Sequence, residues 1–312
     1  MCYPENALQL QAGDSVAVIA PASGQRHRDA GLVLDALNVL ADWGLHVVQT
    51  PQLAPQRYLA NGDDQRAEAL LTALHHPDIK AIFVTRGGYG CARLLSRLEG
   101  ASVPSPRFLI GFSDITTLHL HFAGVKNLFR LHAPNVATAQ FLADSEAGRC
   151  NREALHNALF AGQWPVLSCR PLRVENAEKN AEKNTRENAE AVKTVETIKT
   201  ITLPKAPLTG GCLSLLATSL GTPHQVKAQG KILMIEEVGE SPYQIDRMLT
   251  HLKNAGTFDG VCAVVFGTLT GCNSQHIEAL DVVAEVLADL PCPVVISPTF
   301  GHGAVNLPWR YG

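Results

Sequence analysis

Phe108-Leu109-Ile110-Gly111-Phe112-Ser113-Asp114-Ile115-Thr116-Thr117 reads as a buried strand, a turn and the opening of a helix. Its first residues are apolar enough for a strand covered on both faces. Gly111 supplies the turn, and Asp114, Thr116 and Thr117 suit a helix start. One hydroxyl, that of Ser113, stands just past the turn. Such a junction can hold a serine exposed among backbone N–H groups. The stretch lacks the second glycine of a Gly-x-Ser-x-Gly elbow, so a plain capped helix start fits it too.

Upstream, strands and helices alternate. Asp14 to Gly24 is a buried-type strand running into a Pro/Gly loop. Residues 29–43 carry Leu32, Leu34, Leu37, Leu40 and Trp43 at helical spacing before Gly44. His46-Val47-Val48 starts a strand, Arg66 to Leu74 reads as a helix, and Lys80 to Thr85 as a strand. This alternation predicts an α/β layer with a parallel sheet, whose functional groups gather at the carboxyl ends of the strands. At one such end stands Arg86-Gly87-Gly88-Tyr89-Gly90, followed by helix-like Cys91 to Leu95. Glycines here let backbone N–H groups approach an anion or oxyanion. A structural tight turn is the plain alternative. A dinucleotide loop is disfavoured because Gly-x-Gly-x-x-Gly is absent. His119 and His121, two apart on a helix, face different ways and make no joint metal site. His132, expected in a loop beside the strand ends, either lines the cleft or serves structure.

Residues 174–200 change character. Asn176-Ala177-Glu178-Lys179 repeats as Asn180-Ala181-Glu182-Lys183, and a period of four places like charges at i,i+4. The stretch reads as a solvated linker. The expected organisation is an N-terminal domain over 1–165, a linker over 166–206 and a smaller C-terminal α/β domain over 207–312, with the site between the two domains. In the latter, Pro207 to Leu216 is a glycine-rich lead into a helix. Residues 231–235 form a strand with Glu236 and Glu237 at its end, and Asp246 to Leu252 is helical. Strands at 261–267 and 293–297 flank a helix at 276–289. His302 then follows between Gly301 and Gly303, open to a cleft.

At 312 residues with 46% hydrophobic and 18% charged, the chain can bury two cores. A net charge of −3 gives no reason to expect nucleic acid or an anionic membrane as partner. The eight cysteines never form C-x-x-C, which argues against zinc or a disulfide framework. No secretory leader or membrane-spanning run is legible, so the cytoplasm is the expected compartment. The periplasm is the alternative if a signal peptide once preceded Cys2.

A serine nucleophile needs an imidazole base, and the imidazole needs an acceptor. Ser113, Glu236 and His302 each stand at a predicted strand end. The N–H groups of Gly88 and Asp114 are candidates for an oxyanion hole. From position alone, a solvated carboxylate at 236 and an exposed loop histidine at 302 fit as well.

Ile19-Ala20-Pro21-Ala22-Ser23, Arg86-Gly87-Gly88-Tyr89-Gly90, Gly111-Phe112-Ser113-Asp114, Gly210-Gly211-Cys212-Leu213, Glu236-Glu237-Val238-Gly239-Glu240 and Phe300-Gly301-His302 resemble the ordered motifs of the LD-carboxypeptidase family. That family comprises serine peptidases, including murein tetrapeptide carboxypeptidases and microcin C immunity peptidases. The resemblance implies a Ser113–Glu236–His302 triad, a muropeptide substrate losing its terminal D-alanine, no metal or other cofactor, and commonly a homodimer. A cation should meet the substrate carboxylate, with Arg86, and beside it Tyr89, as candidates. Two departures are Cys212, where the family usually has Asn, and the stop at Gly312, which predicts a trimmed or frayed end. The alternatives are an immunity-type peptidase cleaving an aminoacyl-nucleotide conjugate and a non-catalytic α/β protein binding a small anionic ligand. A nucleotide oxidoreductase is the weakest reading.

Overall fold

The computed structural model describes residues 8–24, 31–172 and 203–312. The low-complexity stretch 174–200 and the start of the expected helix 29–43 lie outside these residues. Among the described residues no helix is long and apolar enough to cross a membrane.

The first sheet contains β1 (Ser15–Ile19), β2 (His46–Gln49), β3 (Ile79–Val84), β4 (Arg107–Ile110), β5 (Leu128–His132) and β11 (Trp309–Arg310), in the order β11-β5-β4-β3-β1-β2. All pairings are parallel except β11 on β5. Alternation along the strands sorts their side chains. Ala17, Ile19, Ile82 and Val84 pack with Leu70 and Leu74 of the helix Asp63–His75. Val16, Val18, Ala81 and Phe83 pack with Leu40 of the helix Leu32–Asp42 and Leu155 of the helix Glu146–Phe160. Helices on both faces explain why these strands are continuously apolar.

The second sheet contains β6 (Arg170–Pro171), β7 (Leu208–Cys212), β8 (Ile232–Val238), β9 (Ala263–Thr270) and β10 (Val294–Ile296), in the order β6-β10-β9-β8-β7. Here too only one pairing, β6 on β10, is antiparallel. Leu233, Ile235, Val264 and Phe266 face the helices Leu213–Ser219, Pro242–Asn254 and Ala279–Val286. Ile232, Met234, Ala263 and Val265 face Phe300, Trp309 and Tyr311.

The fold is α/β in two sheets, as expected, with five local differences. Leu208 to Cys212 is itself a strand, and it leads directly into the helix Leu213–Ser219. A Cβ at Gly210 would lie 1.8 Å from the Met234 carbonyl oxygen, so glycine lets the two strands close. β8 runs on to Val238, which places Glu236 and Glu237 inside it. Arg170–Pro171, within the segment read as linker, extends the second sheet. Trp309–Arg310, within the segment read as C-terminal domain, crosses back to the first sheet. The chain end is not frayed, because the N–H of Gly312 donates to Leu208 O and the N–H of Leu208 to Gly312 O, both at 3.1 Å.

The two halves meet at the helix Thr116–His121, which follows Ser113. Its Thr116 hydroxyl accepts from the Cys212 N–H at 3.2 Å, and Leu120 joins the core of the second sheet.

Candidate active site

Gly111 does not make the turn after β4. It continues the ladder, its N–H donating to Leu131 O at 3.1 Å, and Phe112 is extended. The chain reverses at Ser113 itself, which has φ +63°, a left-handed conformation rare for a residue with a side chain. Such strain persists only where the surroundings enforce it. Here Asn135 enforces it, accepting from the Phe112 N–H at 3.2 Å and donating back to Phe112 O at 3.3 Å. A buried Asp114 carboxylate also accepts from the Cys91 N–H at 2.8 Å, which joins the nucleophile turn to the glycine loop. Burial raises the Asp114 pKa, and the hydrogen bond from Cys91 opposes that rise. Gly87 lies against Ser113: a Cβ there would come within 2.7 Å of the serine Cβ.

The base and its acceptor come from the second sheet. The register of β8 against β9 shifts between Ile235 and Glu237, so Glu236 sits in an irregularity that re-aims its side chain. Glu236 and Glu237 are both buried yet diverge. Glu237 turns to the Ser214 N–H at 2.6 Å and the Val238 N–H at 2.8 Å, and burial raises its pKa. Glu236 turns the other way, its Oε2 2.6 Å from His302 Nδ1. His302 Nε2 stands 3.1 Å from Ser113 Oγ. Burial pulls the imidazole pKa down, but the Glu236 charge and hydrogen bond outweigh it and leave His302 above its ordinary value.

Backbone contacts hold the His302 loop. Gly301 has φ +108°, and a Cβ on it would come within 3.0 Å of Glu236 Oε2. The Gly301 N–H donates to Asn306 Oδ1 at 2.9 Å and the Gly303 N–H to Thr268 Oγ1 at 3.0 Å. From the other half of the molecule, Gln140 Nε2 donates to Gly301 O at 2.9 Å and Gly303 O at 2.6 Å. Ser113, Glu236 and His302, far apart in the chain, thus form one chain of contacts able to move a proton from hydroxyl to imidazole.

Ser113 and His302 open on a cleft of about 390 Å³ whose walls include Arg86, Gly88, Phe112, Asn135, Thr138 and Gln140, with Glu236 buried behind them. Arg86 Nη1 donates to Gly24 O at 3.1 Å at the edge of this space. Tyr89 is not part of the wall: it is 47% exposed, with its ring 5.9 Å from that of Tyr58. His132 does not line the cleft either. It ends β5, fully buried, stacked on Trp309 and 3.2 Å from Asn306. His119 is also buried and held to Gly111 O, while His121 lies on another face of its helix against His224. Gln140 and Asn135 carry no signature in the sequence. Their partners are backbone groups distant in the chain, which no local motif announces.

Comparison with known proteins decides the family. Residues 16–133 match the LD-carboxypeptidase N-terminal domain, and residues 205–312 match the LD-carboxypeptidase C-terminal domain. The chain belongs to the LD-carboxypeptidase family. It is 34% identical to the murein tetrapeptide carboxypeptidase of Pseudomonas aeruginosa, over 95% of this chain and 91% of that protein. The fold is shared with MccF in complex with glutamyl sulfamoyl guanosine, at TM-score 0.78 and 20% identity over 99% of this chain and 94% of that one. It is shared as well with muramoyltetrapeptide carboxypeptidase from Oxalobacter formigenes, at TM-score 0.70 and 20% identity over 96% and 92% of the two chains. Membership makes the chain a peptidase.

For an LD-carboxypeptidase the departure at Cys212 has a local explanation. Its Sγ donates to the Glu237 carboxylate at 3.3 Å, and burial raises the thiol pKa well above the ordinary value. The thiol therefore stays protonated and keeps a polar contact to Glu237.

Proposed function

We propose that this peptidase is a serine LD-carboxypeptidase that releases the terminal D-alanine from murein tetrapeptides. The observation that carries the reading is the contact chain Glu236–His302–Ser113, at 2.6 Å and 3.1 Å, on the wall of a peptide-sized cleft. The murein tetrapeptide carboxypeptidase among its relatives supports the substrate class.

In this mechanism Ser113 Oγ attacks the carbonyl carbon of the L,D bond while its proton passes to His302 Nε2. Glu236 fixes the imidazole tautomer and stabilises the imidazolium. The carbonyl oxygen, now anionic, takes hydrogen bonds from the N–H groups of Gly88 and Asp114. Losing one such donor costs about 3–4 kcal/mol of transition-state stabilisation. The C–N bond breaks as His302 returns the proton to the departing D-alanine amine. Water then adds to the acyl ester, again with His302 as base, and Ser113 recovers its proton. Arg86, on the cleft wall, is the candidate for the substrate's terminal carboxylate.

Mass spectrometry of a defined murein tetrapeptide after incubation tests this: loss of one alanine is expected with the wild type and none with Ser113→Ala. Undiminished hydrolysis by Ser113→Ala would remove the serine mechanism. A parallel arm with an aminoacyl-nucleotide conjugate separates the immunity-type alternative, since cleavage of that compound alone would reverse the substrate assignment.

A further inference from the structure

A second polar cavity lies away from the catalytic cleft, where the two sheets meet. It is more enclosed and smaller, about 80 Å³, and its walls come from both halves. His121 and Arg130 come from the first half, His224, Lys227 and Lys231 from the second, and no carboxylate lines it. Lys231 immediately precedes β8, and Glu236 is the fifth residue of that strand. About 16 Å of strand therefore separate this cavity from the triad.

The wall concentrates positive charge in a chain whose net charge is −3. Among the described residues, none of the three cations has a carboxylate within ion-pair distance. Arg130 is anchored: Nη1 donates to His119 O and the guanidinium stands 5.1 Å from the Tyr311 ring centroid. That leaves most of its five N–H donors for another acceptor. His121 Nδ1 lies 3.2 Å from His224 Nδ1, so one ring must accept from the other and the pair carries at most one charge there. Burial, and then the charges of Arg130 and Lys227, lower the Lys231 pKa, so the three groups feel one another. Glu99 acts on this neighbourhood through His121. Arg130 and Lys231 are partly buried while Lys227 is exposed beside them, and like charges partly withdrawn from water are costly without a counter-ion.

We infer that this seam cavity is a binding site for a phosphate-type dianion, held between Arg130 of the first half and Lys227 and Lys231 of the second. The volume accommodates the anionic group itself, so a phosphate ester would leave its organic part outside. Donors that enter from different parts of the wall suit a tetrahedral anion, whose oxygens point in several directions, better than a flat carboxylate. Because the donors come from both halves, occupancy ties β5 to the start of β8 and stabilises the assembled molecule by mass action. This inference is independent of the substrate proposed for the cleft.

Inorganic phosphate is the probe. Binding is read by calorimetry and by the melting temperature at matched ionic strength, in wild type and in the double variant Lys227→Gln/Lys231→Gln. The expected result is saturable phosphate binding with a rise in melting temperature, weakened roughly tenfold or more in the variant. The general salting-out effect of phosphate persists in the variant and is subtracted by that comparison. Retained peptide hydrolysis by the variant certifies its fold, since neither lysine touches the cleft. Arms with glycerol 3-phosphate and succinate identify the source: a tighter ester points to a phosphorylated metabolite, a tighter free ion to phosphate itself. No saturable binding of phosphate, equal binding by the variant, or a preference for succinate would overturn the assignment.

Discussion

Ser113 carries two residue-scale facts that must be read together: a left-handed backbone and a hydroxyl 3.1 Å from His302. The turn conformation aims Oγ at the imidazole, and the imidazole is kept more basic than usual by Glu236. The base works only when neutral, so kcat/KM rises with pH through the His302 pKa, and that acid limb lies above 6.5, the ordinary value. Glu236→Gln removes the charge that raises the pKa while leaving the burial that lowers it. The expected outcome is a kcat roughly 10³–10⁴-fold lower, with the acid limb of the residual activity moved to lower pH. A pH–rate profile of both proteins measures it, and an unmoved limb would mean that Glu236 does not set the base. Ser113→Ala should abolish turnover down to roughly the last 10⁻⁴ of activity or less, with unchanged melting.

At the scale of elements, the site is a meeting of loops, each held by something outside itself. The glycine loop permits the nucleophile its place, since any side chain at Gly87 would overlap Ser113. Gly87→Ala therefore lowers kcat by at least tenfold while circular dichroism and melting stay near wild type, as about 1 Å of misplacement is enough for such a loss. The His302 loop is braced by Gln140 across the seam. Gln140→Leu should lower kcat about 10–100-fold with KM little changed, because the lost contacts orient the base and need not touch the substrate. An equal rise in KM would instead mark Gln140 as a substrate ligand. These braces also explain what was legible. Ser113, Glu236 and His302 are candidates in the sequence because each follows a short apolar run, and it is the ordered family motifs that join them into one set. β7 was not legible, since Gly210 and Gly211 contribute no side chains to an alternation. The true length of β8 was hidden because two carboxylates look like a strand's end, although each finds its own buried partner. The turn falls two residues beyond Gly111, since glycine is the usual choice for a positive φ and here serine adopts it.

For the whole molecule, the question is what keeps a nucleophile on one sheet in register with a base on the other. The last four residues do much of this. Trp309 is fully buried, stacks on His132 of β5 at 4.9 Å, and belongs to the core under the second sheet. Tyr311 donates its hydroxyl to Gly210 O at 3.0 Å, and Gly312 pairs with Leu208 of β7. The chain end is therefore a strap across both halves, and Trp309 is its largest contribution to the core. Trp309→Ala should lower unfolding free energy by about 3–5 kcal/mol, the usual cost of emptying a buried indole site. A urea titration reads this as a lower midpoint at unchanged slope, provided unfolding remains a single transition. Activity of the folded fraction should fall less than about tenfold, because Asn306 and Gln140 still hold Gly301. Two separate unfolding transitions would sharpen the assignment, showing that the strap couples the halves as well as filling a core. A midpoint equal to wild type would refute the strap, since the removed ring is the one stacked on His132 of β5 within the core of the second sheet.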